Sequence, residues 1–188
     1  MELTRTAVTR REMLKFSLAA GASVVAVQSP VECYALKDQL RRVIRNRPRY
    51  AKERFLKSMN CSQAILETYA QEMGMSVENA RKVSAAFAGG MGMGSECGAV
   101  TGAFMVIGMK HGKTADKDAG ADRQTFSRVA RLVEEFKKQH GDISCSRLLG
   151  TDMGTPEGVK KAAGQGLFTT KCPGFVETAS IILDQILD

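Results

Sequence analysis

Several things are scarce in this chain. Alternating apolar and polar stretches are nearly absent and aromatics make up only 6% of residues, which removes the usual signature of a β-sandwich or barrel. No two cysteines stand at the C-x₂₋₄-C spacing of a compact zinc ribbon. The early basic cluster of Arg41, Arg42, Arg45, Arg47, Arg49, Lys52 and Arg54 has neither interleaved aromatics nor a DNA-binding motif, so it reads as a solvated helix face or a surface for an acidic protein, and no nucleic-acid partner is expected. The glycine-rich stretch Gly89 to Gly94 follows no strand and is not closed by Gly-Lys-Ser/Thr, which argues against a nucleotide loop.

What is present points to helices. The chain has 188 residues, 44% of them apolar and 25% charged, with a formal charge of +7, which suits one soluble domain with a real core. Ala, Met, Leu, Glu and Lys dominate the periodic segments. The expected fold is all-α, a bundle of six to seven helices over residues 36–188. Its main helices are expected over Ser62 to Met73, Val77 to Ala88, Glu96 to Lys110, Ala121 to His140, Cys145 to Leu149 and Pro173 to Leu187, with a glycine-rich loop and about one turn after Thr155-Pro156. Glu96 to Lys110 is apolar nearly all round, as a central buried helix would be.

Residues 1–35 read as an address. Thr9-Arg10-Arg11-Glu12-Met13-Leu14-Lys15 resembles the twin-arginine export signature, and the run Phe16 to Val27 after it is too short for a confident membrane span. Cys33-Tyr34-Ala35 offers a small-x-small cleavage site. Cleavage there would remove the odd cysteine, and an uncleaved segment would serve as an N-terminal anchor. The expected location is periplasmic, reached through the export machinery by way of Arg10 and Arg11.

The remaining cysteines, Cys61, Cys97, Cys145 and Cys172, share one local setting, the first turn of an expected helix. Asn60 with Gln63, Ser95 and Ser144 are the expected caps, and Pro173 suits a first helical position. A helix start offers unpaired N–H groups and the positive end of a dipole, so it favours thiolate and can hold an anionic metal-sulfur group. Gly92, Gly94 and Gly98 would let backbone N–H groups approach the Cys97 sulfur; the plainer account is a tight turn with close packing by Gly98 and Gly102. Lesser candidates are His111 and His140, better read as helix-end residues than ligands, Met91, Met93, Met105 and Met109, better read as core, and Glu96, better read as compensating a helix dipole.

Asn60-Cys61-Ser62-Gln63-Ala64, Gly92 to Ala103 around Cys97, Cys145 before Leu148-Leu149-Gly150, and Cys172 before the last helix together resemble the C_GCAxxG_C_C family of redox-active proteins, itself similar to the core of split-Soret cytochromes c. The resemblance spans about Ala51 to Leu187. It implies a small helical domain whose four cysteines are redox-active or ligate an iron-sulfur cluster, with Gly94 and Gly98 at the cofactor. It also leaves room for a homodimer and a redox protein partner. The chain has no C-x-x-C-H motif, so covalent haem c is not expected. Three chemistries stay open beside the cluster: a thiol-disulfide oxidoreductase with Cys97 as nucleophile, a module held by structural disulfides, and zinc in third place.

Overall fold

The computed structural model describes residues 46–187. Arg10, Arg11, Cys33 and, of the early basic cluster, Arg41, Arg42 and Arg45 lie outside the described residues. Among those described, the chain is helical with no strand, as the composition implies. The helices are α1 (Arg47–Ser58), α2 (Cys61–Ala70), α3 (Val77–Ser84), α4 (Gly98–His111), α5 (Ala119–His140), α6 (Cys145–Leu149), α7 (Pro156–Gly164), α8 (Leu167–Thr170) and α9 (Cys172–Ile186). All except α6 and α8 have eight residues or more; α6 is the short helix expected at Cys145 to Leu149 and α8 is a single turn.

Local chemistry sets most of the boundaries. Asn60 Oδ1 accepts the Gln63 N–H at 3.0 Å and starts α2. The reciprocal half of the expected capping box is missing, because Gln63 Nε2 donates instead to the Arg81 carbonyl at 2.9 Å. Ser76, Asp118 and Thr155 cap α3, α5 and α7 in the same way. The segment expected as a loop after Thr155 is therefore two helices: Thr155 and Pro156 supply a complete start signal, and fully buried Ala162 gives α7 an inward face.

Helix α4 is the axis of the core, with Ala99, Val100, Ala103, Val106 and Ile107 fully buried. It packs on α2, α5 and α9, and α1 lies across α2 and α9. The α2–α4 approach is close because Gly102 has no side chain: a Cβ there would stand 3.0 Å from the Ser62 carbonyl oxygen and 3.1 Å from Ile65 Cβ. The backbones thus meet directly at the ends of the two helices that carry Cys61 and Cys97.

Two polar clusters tie this core to its outer helices. The buried Tyr69 hydroxyl on α2 lies 2.8 Å from Ser180 Oγ and 3.0 Å from Asp184 Oδ1 on α9. Arg47 of α1 closes that cluster, donating to Asp184 at 3.0 Å and pairing with Glu72. Burial pushes the Tyr69 phenol upward, so it stays a neutral hydrogen-bonding group. On the other side of α2, the Glu67 carboxylate is buried between Arg54 of α1 and Arg81 of α3. Arg47, Arg49, Lys52 and Arg54, the described members of the basic cluster, each meet a carboxylate.

Removing one side of such an arrangement leaves cations facing an uncharged group. Glu67→Gln is expected to lower unfolding free energy by about 1–3 kcal/mol, the figure being held down by the partial exposure of both arginines. Urea denaturation measures it, and an unchanged midpoint would show that Glu67 does not clamp α1 and α3 onto α2.

Candidate redox centre

Each of the four cysteines reaches its place through a different local device. Cys61 is the first residue of α2, directly after the Asn60 cap. Cys145 opens α6, where Ser144 Oγ accepts the Arg147 N–H at 3.4 Å. Cys172 opens α9 with Pro173 after it and no side-chain cap. Cys97 departs from expectation. It is the cap residue of α4, one position outside the helix, and Ser95 does not cap.

The reason is a short antiparallel pairing. The Cys97 N–H donates to the Ile143 carbonyl at 2.7 Å and the Cys145 N–H donates to the Ser95 carbonyl at 2.6 Å, on either side of an isolated bridge between Glu96 and Ser144. Residues 95 to 97 are therefore committed to extended backbone, and α4 begins only at Gly98. The same pairing holds the second and third cysteines side by side, although they are remote in sequence.

All four cysteines line one cavity of about 420 Å³. They are free thiols. Cys61, Cys97 and Cys145 are buried and Cys172 is half-buried. The rest of the wall is mostly apolar, with Phe55, Met59, Leu148, Met153, Phe168 and Phe175. Among the described residues, no three His, Cys, Asp or Glu side chains cluster tightly enough to hold a single metal ion. The four thiols border the same space.

Hydrogen bonding from the neighbouring Cys97 thiol favours negative charge on the Cys61 sulfur. That bond, with help from the N–H groups of Gly89, Cys61 and Ser62, outweighs burial and pulls Cys61 down to about 7. The same bond holds the proton on Cys97, and burial adds to it. Burial first, and then negative charge on Cys61, push Cys145 and Cys172 up to about 12. Every thiol in the cavity therefore responds to the charge on Cys61.

The glycines divide between two jobs. At Gly98 a Cβ would run into Cys61 Sγ and stand 2.8 Å from the Phe87 carbonyl oxygen, so the bare backbone is what lets the Cys61 sulfur rest on the start of α4. Gly89, Gly90, Met91 and Gly92 form a turn of successive left-handed residues, at φ 62°, 65°, 59° and 69°. Gly89 and Gly92 line the cavity. Gly94 does not. Its carbonyl accepts from Ser144 Oγ at 3.2 Å and its Cα faces Ser146 and Gly154, so it braces the loop that carries Cys145.

Other expected contributors stand aside. Glu96 accepts from Ser95 Oγ at 2.9 Å, Met93 is 69% exposed, and Met105 and Met109 pack on the core. His140 lies behind the cavity wall, its ring 4.9 Å from that of Phe175 and its Nε2 3.0 Å from Thr178 Oγ1. The residues that sequence reading missed are Gly89, whose N–H reaches Cys61, and the apolar wall. Glycine in a glycine-rich run was visible, but which glycine faces a sulfur depends on the turn.

Residues 59–186 match the family described as "Putative redox-active protein (C_GCAxxG_C_C)". The chain belongs to the C_GCAxxG_C_C family. The match includes all four cysteines that line the cavity. No curated relative and no solved structure gives a significant match. In this C_GCAxxG_C_C protein the four cysteines within the matched region are the ones that line the common space.

In reduced, metal-free protein the first thiolate, read by ultraviolet absorbance, is expected to form with a midpoint near 7. Cys97→Ala removes the hydrogen bond that chiefly favours the Cys61 thiolate, so that midpoint should rise by roughly one pH unit or more. Gly98→Ala should also raise it and cost about 2 kcal/mol of stability through overpacking. A midpoint that ignores both substitutions would place the acidic thiol elsewhere.

Proposed function

We propose that this chain is an exported redox protein whose Cys61, Cys97, Cys145 and Cys172 together hold one iron-sulfur cluster. The observation that carries the reading is the placement of all four free thiols on one cavity. A cluster takes four thiolates around a volume wider than a single ion, and the cavity that the four cysteines line offers such a volume. When bound, the cluster would supply one-electron transfer.

The chain's own groups would tune and shield such a centre. Gly89 offers an N–H to Cys61, and hydrogen bonds to ligand sulfur raise the potential of a cluster. The apolar wall keeps water scarce around the sulfurs. The Thr9-Arg10-Arg11 signature supports export to the periplasm, and electrons would pass to a redox protein partner there.

The test is anaerobic purification with iron and acid-labile sulfide analysis and a visible spectrum. Stoichiometric iron and sulfide are expected, with a large loss of both on Ser substitution of any of the four cysteines. A colourless, iron-free protein after reconstitution would falsify the cluster.

A second reading is favoured by the direct Cys61–Cys97 hydrogen bond. Here the pair is a dithiol couple: two thiols lose two electrons and two protons to an oxidised partner disulfide and join as a disulfide, the partner leaving as a dithiol. The Cys97 thiol favours the thiolate of Cys61, so Cys61 would be the attacking sulfur and Cys97 the resolving one, where the sequence suggests Cys97 as nucleophile. Redox titration of metal-free protein should then show a two-electron couple that Cys61→Ser and Cys97→Ser abolish and that Cys145→Ser and Cys172→Ser retain.

A further inference from the structure

The cavity is larger and more apolar than a set of four sulfurs requires. We propose that its apolar part binds a neutral aromatic molecule of the quinone class, seated beside the thiols. This deepens the redox reading above and rests on it for the choice of a redox-active ring.

Three features of the wall select the ligand. At about 420 Å³ the cavity falls in the range of small-molecule sites. No Lys, Arg or His contributes to the lining, so an anionic ligand would lose its hydration with no cation to replace it. A neutral molecule loses far less. Phe55, Phe168 and Phe175 offer ring faces and edges to a flat partner, and the thioethers of Met59 and Met153 adapt to its outline.

The cavity also has a direction. Cys97 and Cys61 at its inner end are 4% and 9% exposed, whereas Met59 and Val159 in the same wall are 47% and 40% exposed. Apolar surface of that size at an opening gives a neutral ring a path inward. A bulky charged acceptor would be kept at the rim, and only a neutral one could approach the sulfurs closely.

The wall is also held open from outside itself. The left-handed turn at Gly89 to Gly92 is backed by a hydrogen bond from the Ser95 N–H to the Gly90 carbonyl at 3.1 Å. The facing loop is fixed by the Met153 N–H donating to Ser146 Oγ at 3.0 Å. The space is therefore bounded by backbone that does not depend on a ligand to order it.

Duroquinone is the suitable probe, because its fully methylated ring offers thiols no position for addition. Isothermal titration of the purified protein should give saturable binding of one molecule per chain. Anthraquinone-2-sulfonate, a ring with a fixed charge, should bind at least tenfold more weakly, and decanol, an aliphatic control, should also bind more weakly than duroquinone. Val159→Lys at the opening and Phe168→Ala in the wall should each weaken duroquinone at least tenfold while thermal unfolding shows the fold retained. The proposal is overturned by the absence of saturable binding, by equal binding of the sulfonate, by preference for decanol, or by indifference to both substitutions in folded protein.

Titration of the Cys61→Ser, Cys97→Ser double variant reads binding where that pair cannot reduce the quinone, so the two ideas fail separately. If the protein takes up no iron and its thiols are redox-inert while duroquinone still binds as described, the redox reading falls and the cavity assignment stands. If iron and sulfide assemble and duroquinone does not bind, the reverse holds.

Discussion

The arrangement depends on one close contact, the Cys61 sulfur against the backbone at Gly98. A side chain at that position would occupy the place of the sulfur, and α2 and α4 would have to move apart at the end where their thiols meet. With Cys61 held there, the neighbouring Cys97 thiol favours the Cys61 thiolate. The four thiols are then unequal: Cys61 is lowered, while Cys97, Cys145 and Cys172 are raised by burial and by negative charge on Cys61.

A second constraint extends the pair to a quartet. The pairing of residues 95–97 with 143–145 brings the start of α6 to the start of α4. α9 then crosses the core on α1, α4 and α5 so that its own first residue closes the ring. Each thiol therefore belongs to a different contact between elements. Buried ion pairs and the Tyr69 cluster act at a distance from the site, holding α1, α3 and α9 against α2.

Much of the fold was legible residue by residue. The caps at Asn60, Ser76 and Ser144 act as their side chains imply, and the all-round apolar segment after Cys97 is the buried axis of the core. The errors have local causes with distant origins. Ser95 was a plausible cap, but its carbonyl is taken by Cys145, so the chain around it is extended and the helix starts later. Gly94 looked like a neighbour of the cofactor, and its contacts turn out to be with Ser146 and Gly154, residues whose proximity no local rule foretells.

By itself the sequence determined the helical class, the helix starts that three of the cysteines occupy, and the family, because propensity, capping and motif spacing act over a few residues at a time. Only the tertiary structure decided that the four thiols face one cavity, that Cys61 and Cys97 lie close enough to shift each other's acidity, and that Gly89 and the Phe and Met side chains form the wall. These depend on contacts between segments tens of residues apart, where the outcome is set by which backbones can approach one another and by which proton a buried pair can least easily lose.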